Sequence, residues 1–173
     1  MPTLQLLRHA KSAWPPGVAD YSRPLNDRGR RDAPAAGQLL ARREELGLAL
    51  VSPAARTRET FDLVSAELPV APEVMFDPRI YEAGLGSLLE VLSEVPAGVD
   101  QVLLVGHNPG VEMLAWHLGG DDDTDAGDAM RRKYPTAGLA EIELQVPWSE
   151  LPVRAGFGDV AVGRLKSFVV PRG

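Results

Sequence analysis

The amino-acid sequence predicts an α/β domain, a sheet covered by helices on both faces. Three short apolar runs, 3–7, 48–51 and 101–105, suit buried strands. Each is followed, directly or after a loop, by a stretch with helical spacing of apolar residues. This alternation of strand and helix is the pattern of a sheet packed on two sides. At 173 residues, 45% hydrophobic and 24% charged, the chain fits one globular domain, with no internal repeat or linker.

Thr3 to Leu7 forms the first strand and ends at the charged pair Arg8-His9. Residues 11–23 and Pro24 hold three prolines and Gly17, a loop across that strand's end. Asn26 is placed to cap a helix running from about Asp27 to Leu46, which Pro34 should kink or interrupt. After the strand 48–51, Ser52 and Pro53 suit the cap and first position of a second helix carrying Thr57, Thr60, Phe61, Val64 and Leu68. A short strand is expected near 74–76, then a loop, then a helix over 85–95. The strand 101–105 closes at Gly106 and leads through His107, Asn108 and Pro109 into a helix ending at Gly119-Gly120. An acidic loop follows. Strand-like alternation returns over 138–146 and, interrupted by Gly163, over 159–170.

Composition removes several functions. Without cysteine there is no disulfide, thiolate metal site or thiol nucleophile. The net charge of -6 argues against a nucleic-acid partner, because binding to a polyanion rests on Lys and Arg. No apolar run reaches the roughly 18 residues of a membrane span, and Leu4 to Leu7 is too short for a signal peptide. A cytoplasmic protein without membrane association is expected.

The chemistry gathers where strands end: Arg8-His9, the helix turn containing Arg56, and His107. In open α/β sheets, ligands bind beyond the carboxyl ends of the strands, so these positions can converge. Two guanidinium forks suit the oxygens of a tetrahedral phosphate, and a helix N-terminus near Arg56 adds free N–H groups. A neutral imidazole can attack phosphorus and carry the phosphoryl group covalently, while a second, charged imidazole stabilises the oxygens. His9 is read as the nucleophile and His107 as the stabilising group. Since phosphoryl transfer is mainly positioning and charge neutralisation, no metal or other cofactor is expected.

These residues lie in blocks that resemble the histidine phosphatase superfamily, and in particular its short SixA-type phosphohistidine phosphatase branch. Leu6-Leu7-Arg8-His9-Ala10-Lys11-Ser12 is similar to that branch's opening signature, with Ala10 where the wider superfamily usually has glycine. Arg23-Pro24-Leu25-Asn26-Asp27-Arg28-Gly29, Val51-Ser52-Pro53-Ala54-Ala55-Arg56-Thr57 and Val105-Gly106-His107-Asn108-Pro109-Gly110 resemble its later blocks in order and spacing. The resemblance implies a three-layer α/β/α sandwich with a mostly parallel central sheet, as in phosphoglycerate mutase-like proteins. It also implies hydrolysis of phosphate from a phosphohistidine protein or a small phosphorylated molecule. Tyr134-Pro135-Thr136-Ala137 is a family-like segment near the pocket. The superfamily's usual acidic residue has no clear match, and Glu82, in Arg79-Ile80-Tyr81-Glu82-Ala83, is the candidate proton donor. Ser12, Lys11 and Asn108 are the candidate substrate contacts.

Other conspicuous residues read as structural. His117 lies well inside the helix after Gly106. Asp121, Asp122, Asp123, Asp125 and Asp128 lack the glycine and terminal glutamate of a calcium loop and read as a solvated acidic loop. Trp14, Trp116 and Trp148 are scattered, without the basic stripe of a base-stacking surface, and suit core or rim packing. Two other functional classes compete with hydrolysis. A mutase would return the phosphoryl group to a bound intermediate and needs a pocket closed to water, for which the chain has little lid material. A binding module would hold phosphorylated ligands without turnover and would have no use for His9 as a nucleophile.

Overall fold

A computed structural model describes residues 1–119, 123–155 and 162–173. One six-stranded sheet has the order β3-β2-β4-β1-β5-β6. The strands are β1 (Thr3–Arg8), β2 (Leu48–Val51), β3 (Glu73–Phe76), β4 (Gln101–Gly106), β5 (Leu139–Leu144) and β6 (Gly163–Val169). The four strands from β3 to β1 are parallel, whereas β5 and β6 pair antiparallel. The helices are α1 (Asp27–Leu40), α2 (Ala55–Ser65), α3 (Leu85–Ser93), α4 (Gly110–Gly119), α5 (Asp125–Arg132) and α6 (Leu151–Arg154).

Alternation along each strand sorts the core into two layers, because successive side chains point to opposite faces. Leu4, Leu6, Leu48, Leu50, Val102 and Leu104 pack with residues of α3, α4 and α6. Leu7, Ala49, Val51, Leu103 and Val105 pack with Ala36 and Leu40 of α1 and with Phe61 and Val64 of α2. The fold is therefore the expected three-layer α/β sandwich.

Local differences from the sequence reading have physical causes. Pro34 does not break α1, which runs continuously through it. Helix α1 packs so closely on α2 that a Cβ on Gly37 would lie 2.6 Å from the Val64 carbonyl oxygen. That packing outweighs the one lost N–H of the proline. The helix stops at Leu40 rather than Leu46, tightening into i→i−3 bonds from Arg42 to Leu39 and from Arg43 to Leu40. This lets Leu46 turn back into the core ahead of β2. The expected acidic loop is a helix from Asp125: Thr124 caps it by accepting from Gly127 N at 3.2 Å, acidic residues occupy its first turn, and Arg131 and Arg132 its last. Both charge placements suit the helix dipole. Asp121 and Asp122, and the expected strand residues 159–161, lie outside the described residues. Asn26 caps α1 as expected, accepting from Gly29 N at 2.9 Å. No helix among the described residues is long and apolar enough to cross a membrane.

Candidate active site

β1 and β4 lie side by side in parallel register and place His9 and His107 just beyond their carboxyl ends. The His9 N–H continues the ladder to the Gly106 carbonyl at 3.0 Å. The imidazole rings meet at a centroid separation of 5.3 Å and a tilt of 55°. On the other flank of β1, the Ala137 N–H donates to the carbonyls of both Arg8 and His9. Ala137 holds a left-handed φ of 61° to do so. The family-like segment 134–137 thus clamps the strand end that carries the nucleophile candidate.

His9 is only 6% exposed, and its Nδ1 donates to the Ala10 carbonyl at 2.7 Å. A proton fixed on Nδ1 leaves the Nε2 lone pair free. Burial, then the nearby charges of His107, Arg56 and Arg8, push the His9 pKa down to about 3, against the Ala10 bond that raises it. His9 is neutral at physiological pH.

Arg8 donates from Nη1 to the Tyr134 carbonyl at 3.0 Å, and Asn108 Nδ2 donates to the same oxygen at 3.0 Å. Arg56, in the first turn of α2, is 7% exposed. Its Nη1 reaches the Asp20 carbonyl at 2.8 Å and its Nη2 the Asp20 carboxylate at 3.1 Å. The Nε atoms of both arginines, the Nδ1 of His107 and the Oδ1 of Asn108 are buried without a hydrogen-bond partner among the described residues. Three of these four can donate, which is an unusual concentration of unmet hydrogen bonding for a folded protein. Helix α2 is tied to the segment that follows His9 through Thr60, whose Oγ1 donates to the Arg56 carbonyl at 2.7 Å and accepts from Ala10 N at 3.0 Å. At the start of α1, the close approach of Gly29 to the Lys11 carbonyl leaves no room for a Cβ.

Two expectations change. Ser52 is not the cap of α2, which begins after Ala54. Its Oγ lies 2.7 Å from His107 Nε2, making it a site residue. His107 is also not the charged imidazole expected, since burial, then the Arg56 cation, push its pKa down to about 4. Two neutral imidazoles sit between two guanidinium groups.

The outer wall contains residues that pattern reading missed. Asp20 belongs to a single 3-10 turn, 20–22, in the loop over the site. Its carboxylate accepts from Arg56, from Arg23 Nη1 at 2.8 Å and from the Tyr81 hydroxyl at 2.7 Å. These bonds, that from Tyr81 foremost, hold the Asp20 pKa far below the usual carboxylate range, and the same contact pushes Tyr81 up to about 12. The Tyr81 ring meets His107 edge-on at 5.5 Å and Tyr21 at 5.1 Å. Arg23 donates to the Ala13 carbonyl and to Ser12 Oγ, and its guanidinium stacks 3.2 Å from the Trp14 ring centroid. Arg23 and Ser52 stood in the quoted blocks and Tyr81 beside Glu82, so a signal existed for all three; Asp20 had none.

A cavity of about 530 Å³ opens between Asp20, Arg56, Tyr81, Glu82, His107 and Asn108. Glu82 lines it, exposed and with a left-handed φ of 54°. Ser12 is buried against Arg23 rather than open to the cavity, and Lys11 is exposed outside its lining. His117 is engaged elsewhere, its Nε2 donating to the Ala155 carbonyl. No group of three or more His, Cys, Asp or Glu residues among the described ones is placed to hold a metal ion.

The sequence and the fold have counterparts in known proteins. The profile of the histidine phosphatase superfamily (branch 1) matches residues 4–97. An uncharacterised protein of Mycobacterium tuberculosis is 35% identical over 169 residues, covering 96% of this chain and 100% of its own length. A candidate phosphohistidine phosphatase SixA from Nakamurella multipartitia superposes with a TM-score of 0.83 at 29% identity, over 98% of this chain and 96% of that one. A candidate SixA from Agrobacterium tumefaciens gives 0.78 at 29% identity, over 99% of both chains. By motif, fold and strand-end geometry together, the chain belongs to the histidine phosphatase superfamily, in its SixA-type branch.

Proposed function

We propose that this protein is a phosphatase that removes a phosphoryl group from a phosphohistidine or a phosphate monoester through a covalent intermediate on His9. Membership of the superfamily supports phosphatase activity in general, and the two candidate SixA relatives support a phosphohistidine substrate. The observation that carries the mechanism is His9 itself: buried, neutral, and held by Ala10 in the tautomer that frees Nε2. Nε2 attacks phosphorus and the bond to the leaving group breaks; a water then attacks the phosphorus of phospho-His9 and returns the imidazole.

Arg8 and Arg56 offer their unpaired Nε groups to the phosphoryl oxygens. Ser52 donates its hydroxyl proton to His107 Nε2, which places the ring proton on Nδ1, where it serves as a third donor. A dianion bound there then raises the His107 pKa. Glu82, lining the cavity, supplies a proton where the leaving group is a poor one.

The test is to trap the phosphoenzyme with labelled substrate, a chelator being present throughout. An acid-labile phosphate on His9, with activity surviving the chelator, is expected; label on another residue overturns the mechanism. Glu82→Gln should cost roughly 10² to 10⁴ in rate on alkyl phosphates, while leaving aryl phosphate and phosphohistidine turnover nearly unchanged. An equal loss on all substrates removes Glu82 from the role of donor.

A further inference from the structure

We infer that Asp20 selects the leaving group by charge, so that the outer cavity accepts neutral or cationic leaving groups and turns away one that carries a second anion. The inference rests on the phosphoryl site described above and concerns what lies outside it. The cavity lining holds two carboxylates, Asp20 and Glu82, and one guanidinium, Arg56. Both Nη atoms of Arg56 are engaged by Asp20, through its backbone carbonyl and its carboxylate. Arg56 has five N–H donors and keeps three for a ligand, its buried, unpartnered Nε among them, which suits the phosphoryl group itself. Arg23, the next cation, is spent on Asp20, Ser12 and Ala13 and stacked on Trp14.

A carboxylate or second phosphate on the leaving group would therefore face Asp20 and Glu82, and the one guanidinium in the cavity lining, Arg56, is already ion-paired to Asp20. An ammonium or a ring N–H would find an acceptor there. Asp20 is the selecting group because its position is fixed: three side chains hold its carboxylate, while 46% of that side chain stays exposed. Glu82 is exposed and has no comparable anchor among the described contacts. Tyr81, donating to Asp20 and edge-on to His107, supplies an aromatic wall between the carboxylate and the second histidine.

The experiment uses three benzylphosphonates that cannot be hydrolysed, carrying a para methyl, carboxylate or trimethylammonium group. Their Kd values are measured by calorimetry on the parent, Asp20→Asn and Asp20→Glu proteins. The parent should bind the ammonium compound about tenfold more tightly than the carboxylate one, a ratio that shrinks in high salt. Asp20→Asn should reduce that ratio to about threefold or less, and Asp20→Glu should keep most of it. Equal affinities in the parent overturn the inference. So does an Asp20→Asn protein that binds all three ligands more tightly by one factor, because Asp20 would then be only a competitor for Arg56. Turnover of the matching aryl phosphates is recorded alongside. Charge-selective binding with no turnover would defeat the phosphatase reading and leave the selectivity of Asp20 standing, and turnover without selectivity would do the reverse.

Discussion

The floor of the site and its outer wall are made of different material. The floor is the end of the sheet: Arg8 closes β1, His9 and His107 directly follow two paired strands, and the backbone of Arg8 and His9 continues the pairing to the Gly106 carbonyl and the Ala137 turn. The wall is a loop, with Asp20 in a single turn, Tyr21 and Trp14 exposed, and order coming from side-chain bonds to Arg23, Arg56 and Tyr81. A sheet end holds groups to the small tolerances that bond making requires, whereas a loop can vary its side chains without disturbing the core. As proposed above, the floor carries the chemistry and the wall the selection, and each assignment can be broken.

The largest expected effect is at the centre of the floor. His9→Ala should lower turnover by roughly 10⁴ or more, since it removes the proposed nucleophile while the other imidazole, His107, has its Nε2 engaged by Ser52. Circular dichroism and the unfolding midpoint would show whether the fold is kept. Substantial remaining activity in a folded variant would place the nucleophile elsewhere.

Next come the arginines. Arg8→Ala and Arg56→Ala should each weaken vanadate inhibition by about 2 to 5 kcal/mol, the usual cost of removing one partner of a desolvated charge pair. The two variants also sharpen the comparison, because Arg56 joins floor to wall. Its loss should release Asp20 as well, and the Tyr81 fluorescence environment should change in Arg56→Ala but not in Arg8→Ala. Unchanged vanadate inhibition in both would remove the pair from the pocket.

The third effect is on stability and belongs to the floor alone. His9 and His107 have folded pKa values of about 3 and about 4, below the 6.5 of a free histidine. Between pH 6.5 and 4 the unfolded chain therefore binds more protons than the folded one, so stability rises with pH through this window and levels off above it. Each histidine contributes a slope of up to about 1.4 kcal/mol per pH unit. Urea unfolding at several pH values should show a shallower acid slope in His9→Asn than in the parent. An unchanged slope would mean that His9 is protonated in the folded protein.

The smallest effect is expected at the wall. Trp14 is 75% exposed and stacks on the Arg23 guanidinium. Trp14→Ala should cost about 0.5 to 1 kcal/mol of stability, the scale of an exposed cation–π contact. Turnover of a neutral aryl phosphate should change far less than in any floor variant. A loss as large as that of Arg8→Ala would show that the wall takes part in the chemical step.

Much of this molecule is dictated locally. Apolar runs of four or five residues leading into Arg8-His9, Ser52-Pro53 and Gly106-His107 specify buried strands whose ends carry polar groups. Strands of that kind, alternating with helices, have few ways to pack other than in a layered sheet. The convergence of His9, Arg56 and His107 was legible for the same reason, because parallel strands put all their carboxyl ends on one edge. The partners of those groups are a different matter. Nothing about Ser52 as one residue distinguishes a helix cap from a bond to His107 fifty-five positions away, and nothing near Asp20 announces that it meets Arg56 and Tyr81. The charge state of His107 belongs to the same class: an imidazole beside an anion site reads as a cation, and only burial next to Arg56 makes it neutral. Pattern and composition decide which faces are buried, since burial follows from the period of the chain. Loop position, side-chain pairing and protonation depend on neighbours brought together from distant parts of the sequence, and those neighbours exist only once the tertiary structure has formed.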